Sequence, residues 1–290
     1  MVFFSFVCGS VYGWMRSDPL VVAGIAAALI GSTYVLTGLP VSGTVLLGVP
    51  AGVALVYRFD RTSPAAVEDA RTHGARRRWM DRHHVYIRFT TTLYVLLAVW
   101  AFWNLAPLTQ AAAAGFAGMG ALYVWPIRGW RFKHIGSAKT LAVAGAWSLG
   151  VVGLPVLEGV STVGVAGSMW EALGLACYRM GWLLPNLLCS DWADRAADHA
   201  AGLETLPQSW SVRQVRTVAA SCAGGAALAA AVLALTTGRP VWMAEALAAA
   251  LLALGGARCP VHPGPTYRLA LDLYMAVPGL IALLAVWVTG

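Results

Sequence analysis

The chain has 290 residues, of which 59% are hydrophobic and only 11% charged, with a formal net charge of +7. Soluble domains carry about 25% charged residues, so this chain cannot cover a water-facing surface. The composition excludes a water-soluble globular enzyme, a disordered chain and a nucleic-acid-binding domain, and leaves a polytopic membrane protein.

Residues 1–18 lack a basic region ahead of their apolar stretch, so they read as an interfacial segment rather than a signal peptide. A spanning helix needs about 20 apolar residues. Nine segments meet or approach that length: 20–38, 40–57, 85–103, 108–125, 138–157, 167–189, 212–235, 241–256 and 268–288. They are continuous and rich in Ala, Leu and Gly instead of alternating, which predicts helices and not barrel strands. The expected organisation is all-α, a single integral membrane domain over residues 1–290.

Lysine and arginine set the expected orientation. Of the 20 such residues, only Arg239 falls on one side and Arg179 inside a span; all the others fall in or beside the N-terminal segment and the loops 58–84, 126–137, 190–211 and 257–267. The N-terminus and those loops are therefore expected on the cytoplasmic face and the C-terminus outside, in an inner membrane of bacterial type. The connections on the cytoplasmic face are long and polar, which marks that face as the working one. Cys8, Cys177, Cys189, Cys222 and Cys259 form no CxxC pair and read as small packing residues.

The most informative stretch follows the sixth span. Asp191, Asp194 and Asp198 fall at i, i+3 and i+7 and share one helix face over about 10 Å. Three aligned carboxylates repel one another unless a cation lies among them, and Arg195 points away from that face. The fitting cation is Mg²⁺, a hard ion commonly held by one or two carboxylates together with substrate phosphates.

This DxxDxxxD run, followed by Gly202, Thr205 and Pro207, resembles the second aspartate-rich motif of the UbiA-type membrane prenyltransferases. The resemblance implies a bundle of nine transmembrane helices and Mg²⁺-dependent transfer of a prenyl group from a prenyl diphosphate to an aromatic or other lipophilic acceptor. It also implies a first motif, NxxxDxxxD, at the end of the second span. Asp60-Arg61 resembles its central part, but Val56 stands at the Asn position and Pro64 at the last Asp. Glu68 and Asp69 follow in the same loop as possible substitutes. The implied metal ligands, which are also the catalytic set, are Asp60, Asp191, Asp194 and Asp198.

A diphosphate leaving group gains charge as its C–O bond breaks and calls for cations. Loop 126–139 also resembles the family's connection between its fourth and fifth spans. Lys133 and Lys139, with Arg61, are the candidate diphosphate-binding residues. Lys139 begins a helix, where a phosphate also meets the helix N-terminus. The run Arg76-Arg77-Arg78 is assigned to anionic lipid headgroups. Tyr57, Tyr178, Arg179 and Asp272 are candidates for the substrate pocket. Arg179 lies within the membrane, where ionisable residues usually face the bundle interior; a carbonyl or Glu171 is its expected partner if its role is only structural. The alternatives are a cyclase acting on the diphosphate alone and a catalytically lapsed member that binds isoprenoid lipid.

Overall fold

The segment LVVAGIAAALIGSTYVLT has no charge and ends at a glycine before a proline, so a helix should run through it and stop there. The computed structural model shows this helix, α1, over Leu20–Thr37, ended by Gly38 at φ 70°. Its N–H donates to the Tyr34 carbonyl at 2.8 Å. The structure describes residue 14 and residues 17–62, 74–125, 136–163, 169–200, 205–255, 259–261 and 265–289.

The remaining helices among the described residues are α2 (Gly43–Thr62), α3 (Gly74–Arg82), α4 (His84–Asn104), α5 (Pro107–Val124), α6 (Gly136–Val163), α7 (Met169–Ala200), α8 (Val212–Thr237), α9 (Val241–Leu254), α10 (Pro265–Tyr274) and α11 (Val277–Thr289), with a 3₁₀ turn at Leu206–Ser209. No strand occurs among the described residues. Ser211 and Gln214 form a reciprocal capping box at the start of α8. The Glu158 carboxylate of α6 accepts from the Ala106 N–H at 3.1 Å, placing a negative charge at the start of α5.

Among the described residues, five helices are long and apolar enough to cross a membrane by length and composition: Leu20–Thr37, Gly43–Thr62, His84–Asn104, Lys139–Thr162 and Val212–Thr237, while Val241–Leu254 and Val277–Trp287 are apolar but shorter. The expected span at 268–288 is two helices. Pro278 has no N–H for the Tyr274 carbonyl and its ring clashes there. The chain turns at Met275-Ala276, whose N–H groups bond to Asp272 and Leu273 carbonyls at 3.1 and 3.0 Å.

The helices close into a ring. α1 packs on α2, α2 on α4, α5 and α6, α5 on α6, and then α6 on α7, α7 on α8, α8 on α9, α9 on α11 and α11 back on α1. Leu29, Ile30, Trp147, Val151, Tyr178, Trp182 and Trp242 fill the core. Large apolar side chains such as Trp103, Leu235 and Trp287 point outward, as lipid-facing residues do. Apolar burial does not drive helices together within lipid, so close contact depends on small residues. A Cβ at Gly279 would lie 2.7 Å from the backbone carbonyl of Ala28, and one at Gly120 would lie 2.9 Å from Val56. These glycines set the α11–α1 and α5–α2 crossings.

Gly279→Ala should destabilise the protein by about 1–3 kcal/mol, because the obstructing atoms are backbone and cannot rotate away. A thermal unfolding midpoint in detergent equal to that of the unsubstituted protein would contradict this packing argument.

Candidate functional site

Chain reversal at each connection brings the ends of α2, α5 and α7 and the starts of α6 and α10 to one end of the bundle. The three motif aspartates occupy the last turns of α7. They meet α6 there. Lys139 Nζ lies 3.3 Å from Asp191 Oδ1 and 3.5 Å from Asp198 Oδ2. Thr140 donates its hydroxyl to Asp191 Oδ2 at 2.6 Å. The side chains of Lys139, Asp191 and Asp198 are only 15%, 13% and 9% exposed, so the pairs are largely withdrawn from water. The expectation from sequence left the aspartates without a nearby protein cation. The structure corrects it with Lys139, far away in the chain but facing them across the α6–α7 contact.

Asp60 ends the neighbouring helix α2. Tyr123, at the end of α5, lies within electrostatic reach of Lys139, Asp60 and Asp191 together, and of Tyr57. The central carboxylate of α2 and the carboxylates of α7 thus border one region. Asp272 of α10 joins them, within electrostatic reach of Arg61, Arg76 and Asp194. Tyr57 is half-buried, with Trp147 edge-on at 6.4 Å and the Arg61 guanidinium 5.5 Å from its ring centre. Arg61 also donates to the Ser17 carbonyl at 3.1 Å. Phe59 and Trp125, 5.7 Å apart, tie the ends of α2 and α5.

Arg76 is half-buried and faces Asp272, whereas Arg77 and Arg78 are exposed and Arg77 pairs with Asp81 at 3.6 Å. Arg76 thus differs from Arg77 and Arg78 in being partly withdrawn from the surface. Arg58 is likewise no surface residue. It is buried, with Nη2 3.3 Å from Asp18 Oδ2 and 3.2 Å from Thr90 Oγ1. Lys133, Arg128, Arg131, Pro64, Glu68, Asp69 and Gly202 lie outside the described residues.

Tyr178 and Arg179 are enclosed in the bundle core. Tyr178 donates to Glu245 Oε2 at 2.5 Å and packs edge-on to Trp242 at 5.7 Å. Arg179 donates to the Ser32 hydroxyl of α1. Below Trp182, an apolar cavity of about 400 Å³ opens between α7, α9, α10 and α11, lined by Trp182, Leu251, Leu252, Tyr274 and Val277. Trp182 and Tyr274 stack at 4.8 Å in its wall.

Sequence reasoning missed Tyr123, Thr140, Glu245 and the Asp18–Arg58 pair. Thr140 adjoins Lys139, so its neighbourhood was visible. Tyr123 looks like any interfacial aromatic, and Glu245 is a single acid in the short α9.

Among the described residues, no three His, Cys, Asp or Glu side chains converge on one point. The available donors are hard carboxylate oxygens, and a cation, the Lys139 ammonium, already stands between two of them. That fits an ion which takes one or two carboxylates and completes its shell with water and phosphate.

The chain matches no protein-family model and no curated protein. It does match solved structures over nearly its whole length. A UbiA homologue from Aeropyrum pernix K1 is 10% identical with a TM-score of 0.62, covering 91% of this chain and 98% of that one. A UbiA homologue from Archaeoglobus fulgidus, bound to DMAPP and Mg²⁺, is 13% identical with a TM-score of 0.59, covering 93% and 97%. The same homologue bound to GPP and Mg²⁺ gives 13% and 0.61, covering 93% and 98%. The chain therefore shares the fold of these UbiA homologues.

Burial pushes the Asp198 carboxyl up to about 6; Lys139 opposes the rise, and the like charges of Asp191 and Asp194 add to it. Between its ordinary value and about 6, the folded protein keeps a proton that the unfolded chain has lost. This group therefore favours folding at low pH, and its contribution disappears as pH rises through about 6. Metal-free protein should show a fall in thermal midpoint across that range, and Asp198→Asn should flatten it. An equal slope in the variant would contradict the assignment.

Proposed function

We propose that this protein is a Mg²⁺-dependent membrane prenyltransferase. It would take a prenyl diphosphate at the end of the bundle formed by α2, α6 and α7, and transfer the prenyl group to an aromatic or other lipophilic acceptor. The observation that carries the reading is the gathering of Asp191 and Asp198 on Lys139, with Asp60 bordering the same region, in a fold shared over its length with UbiA homologues. The orientation expected from the Lys and Arg distribution would place this end in the cytoplasm.

In this reading Asp191, Asp194 and Asp198, with Asp60 opposite, would hold Mg²⁺, which when bound offsets the charge that develops on the diphosphate. Lys139 and Arg61 place further positive charge on that side, and Lys133 is their candidate partner from the loop before α6. The allylic C–O bond breaks and its electron pair leaves with the diphosphate. The acceptor's nucleophilic atom supplies the pair for the new bond to carbon and then loses a proton. Tyr57 and Trp147 present aromatic faces beside this region, where an electron-poor carbon is favoured over open water. Asp272 faces Arg61 and Arg76 and would hold them in place. Tyr178 and Arg179 would act from behind this region by fixing α7 against α1 and α9.

Purified protein in detergent or nanodiscs should release diphosphate from an allylic prenyl diphosphate when Mg²⁺ is present, and Asp191→Asn should lower the rate by about 100-fold. Product analysis with and without a lipophilic phenol separates transfer from cyclisation. Failure to bind or turn over any prenyl diphosphate, tested from five to twenty carbons, would refute the reading.

A further inference from the structure

The acidic site offers fewer metal positions than its aspartates suggest, because one cation position is filled by the protein. Lys139 Nζ is within 3.5 Å of both Asp191 and Asp198. These residues are two helical turns apart, about 10 Å along the axis. One ammonium thus bridges the two ends of the motif. Asp191 is engaged at both oxygens, by Lys139 at Oδ1 and by Thr140 at Oδ2. The pairs are nearly withdrawn from water, so breaking them to admit a second ion would leave charge uncompensated in a poorly solvated place.

The facing helix does not make up the difference. Val56, one turn before Asp60, packs into the space left by Gly120 on α5. That position serves a helix crossing and presents no oxygen. Pro64 follows in sequence and has no ligating side chain. Among the described residues of α2, Asp60 is the sole carboxylate. An ammonium has three N–H donors. Two face aspartates, leaving a third for a phosphate oxygen.

We infer that the site binds its diphosphate with one divalent cation, and that Lys139 acts as a fixed second cation between Asp191 and Asp198. The inference rests on the prenyl diphosphate reading above. It makes Lys139 a residue that sets the metal stoichiometry as well as one that touches phosphate.

The test counts bound Mn²⁺ by electron paramagnetic resonance with the protein saturated by geranyl thiolodiphosphate, an analogue resistant to ionisation. Wild type should hold one Mn²⁺. Lys139→Gln should hold two at saturating Mn²⁺, and at limiting Mn²⁺ it should bind the analogue about tenfold more weakly. Lys139→Arg keeps the charge and should stay at one ion. A merely structural lysine would not change the count. Two ions in wild type, or one in Lys139→Gln, would overturn the inference while leaving the prenyl diphosphate reading intact. Absence of any analogue binding in wild type would overturn both. Should Lys139→Gln fail to fold, the wild-type count decides.

Discussion

Everything at the working end of this bundle follows from placing several carboxylates where water is scarce. An aspartate on an exposed loop needs no partner. Asp191 and Asp198 are mostly covered by protein, and each negative charge there must meet a positive one or take up a proton. Lys139 supplies the positive charge from a different helix. It therefore ties the start of α6 to the last turns of α7 across the contact between the two helices.

The rest of the molecule serves this placement through close packing of small residues. Gly120 lets Val56 sit against α5, which brings Tyr123 near Asp60 and Lys139. Gly279 lets α11 reach the backbone of α1 and close the ring. The enclosed Tyr178–Glu245 and Arg179–Ser32 bonds add polar links between α7 and its neighbours α9 and α1. Such links hold well in an apolar interior, where no water competes for the donors.

The fold was readable from sequence because membrane helices declare themselves by uninterrupted apolar length. α1, α2, α4, α6 and α8 appear where the segments predicted them. The region around Met275 was misjudged because hydropathy averages over a proline that backbone geometry cannot ignore. The aspartate motif was readable because its spacing is local, one helix face. Its partner was not, since Lys139 and Asp191 are 52 positions apart and no periodicity links them. Lys139 was singled out for phosphate on the strength of its helix start, and the structure adds its contact with the acids. Arg58 and Arg76 show the limit of counting charges by side: both belong to the polar face, yet one is buried on Asp18 and the other turned toward Asp272.

The Asp18–Arg58 pair has a further bearing. Asp18 Oδ1 accepts from the Leu20 N–H at 2.8 Å while its other oxygen holds Arg58, and Ser17 receives Arg61. The stretch just ahead of the first helix is thereby clasped to the end of α2 that bears Asp60. Fusion partners or deletions introduced close to residue 17 for expression would loosen this clasp. They would release Arg58 and Arg61 from their partners ahead of α1 without altering either residue.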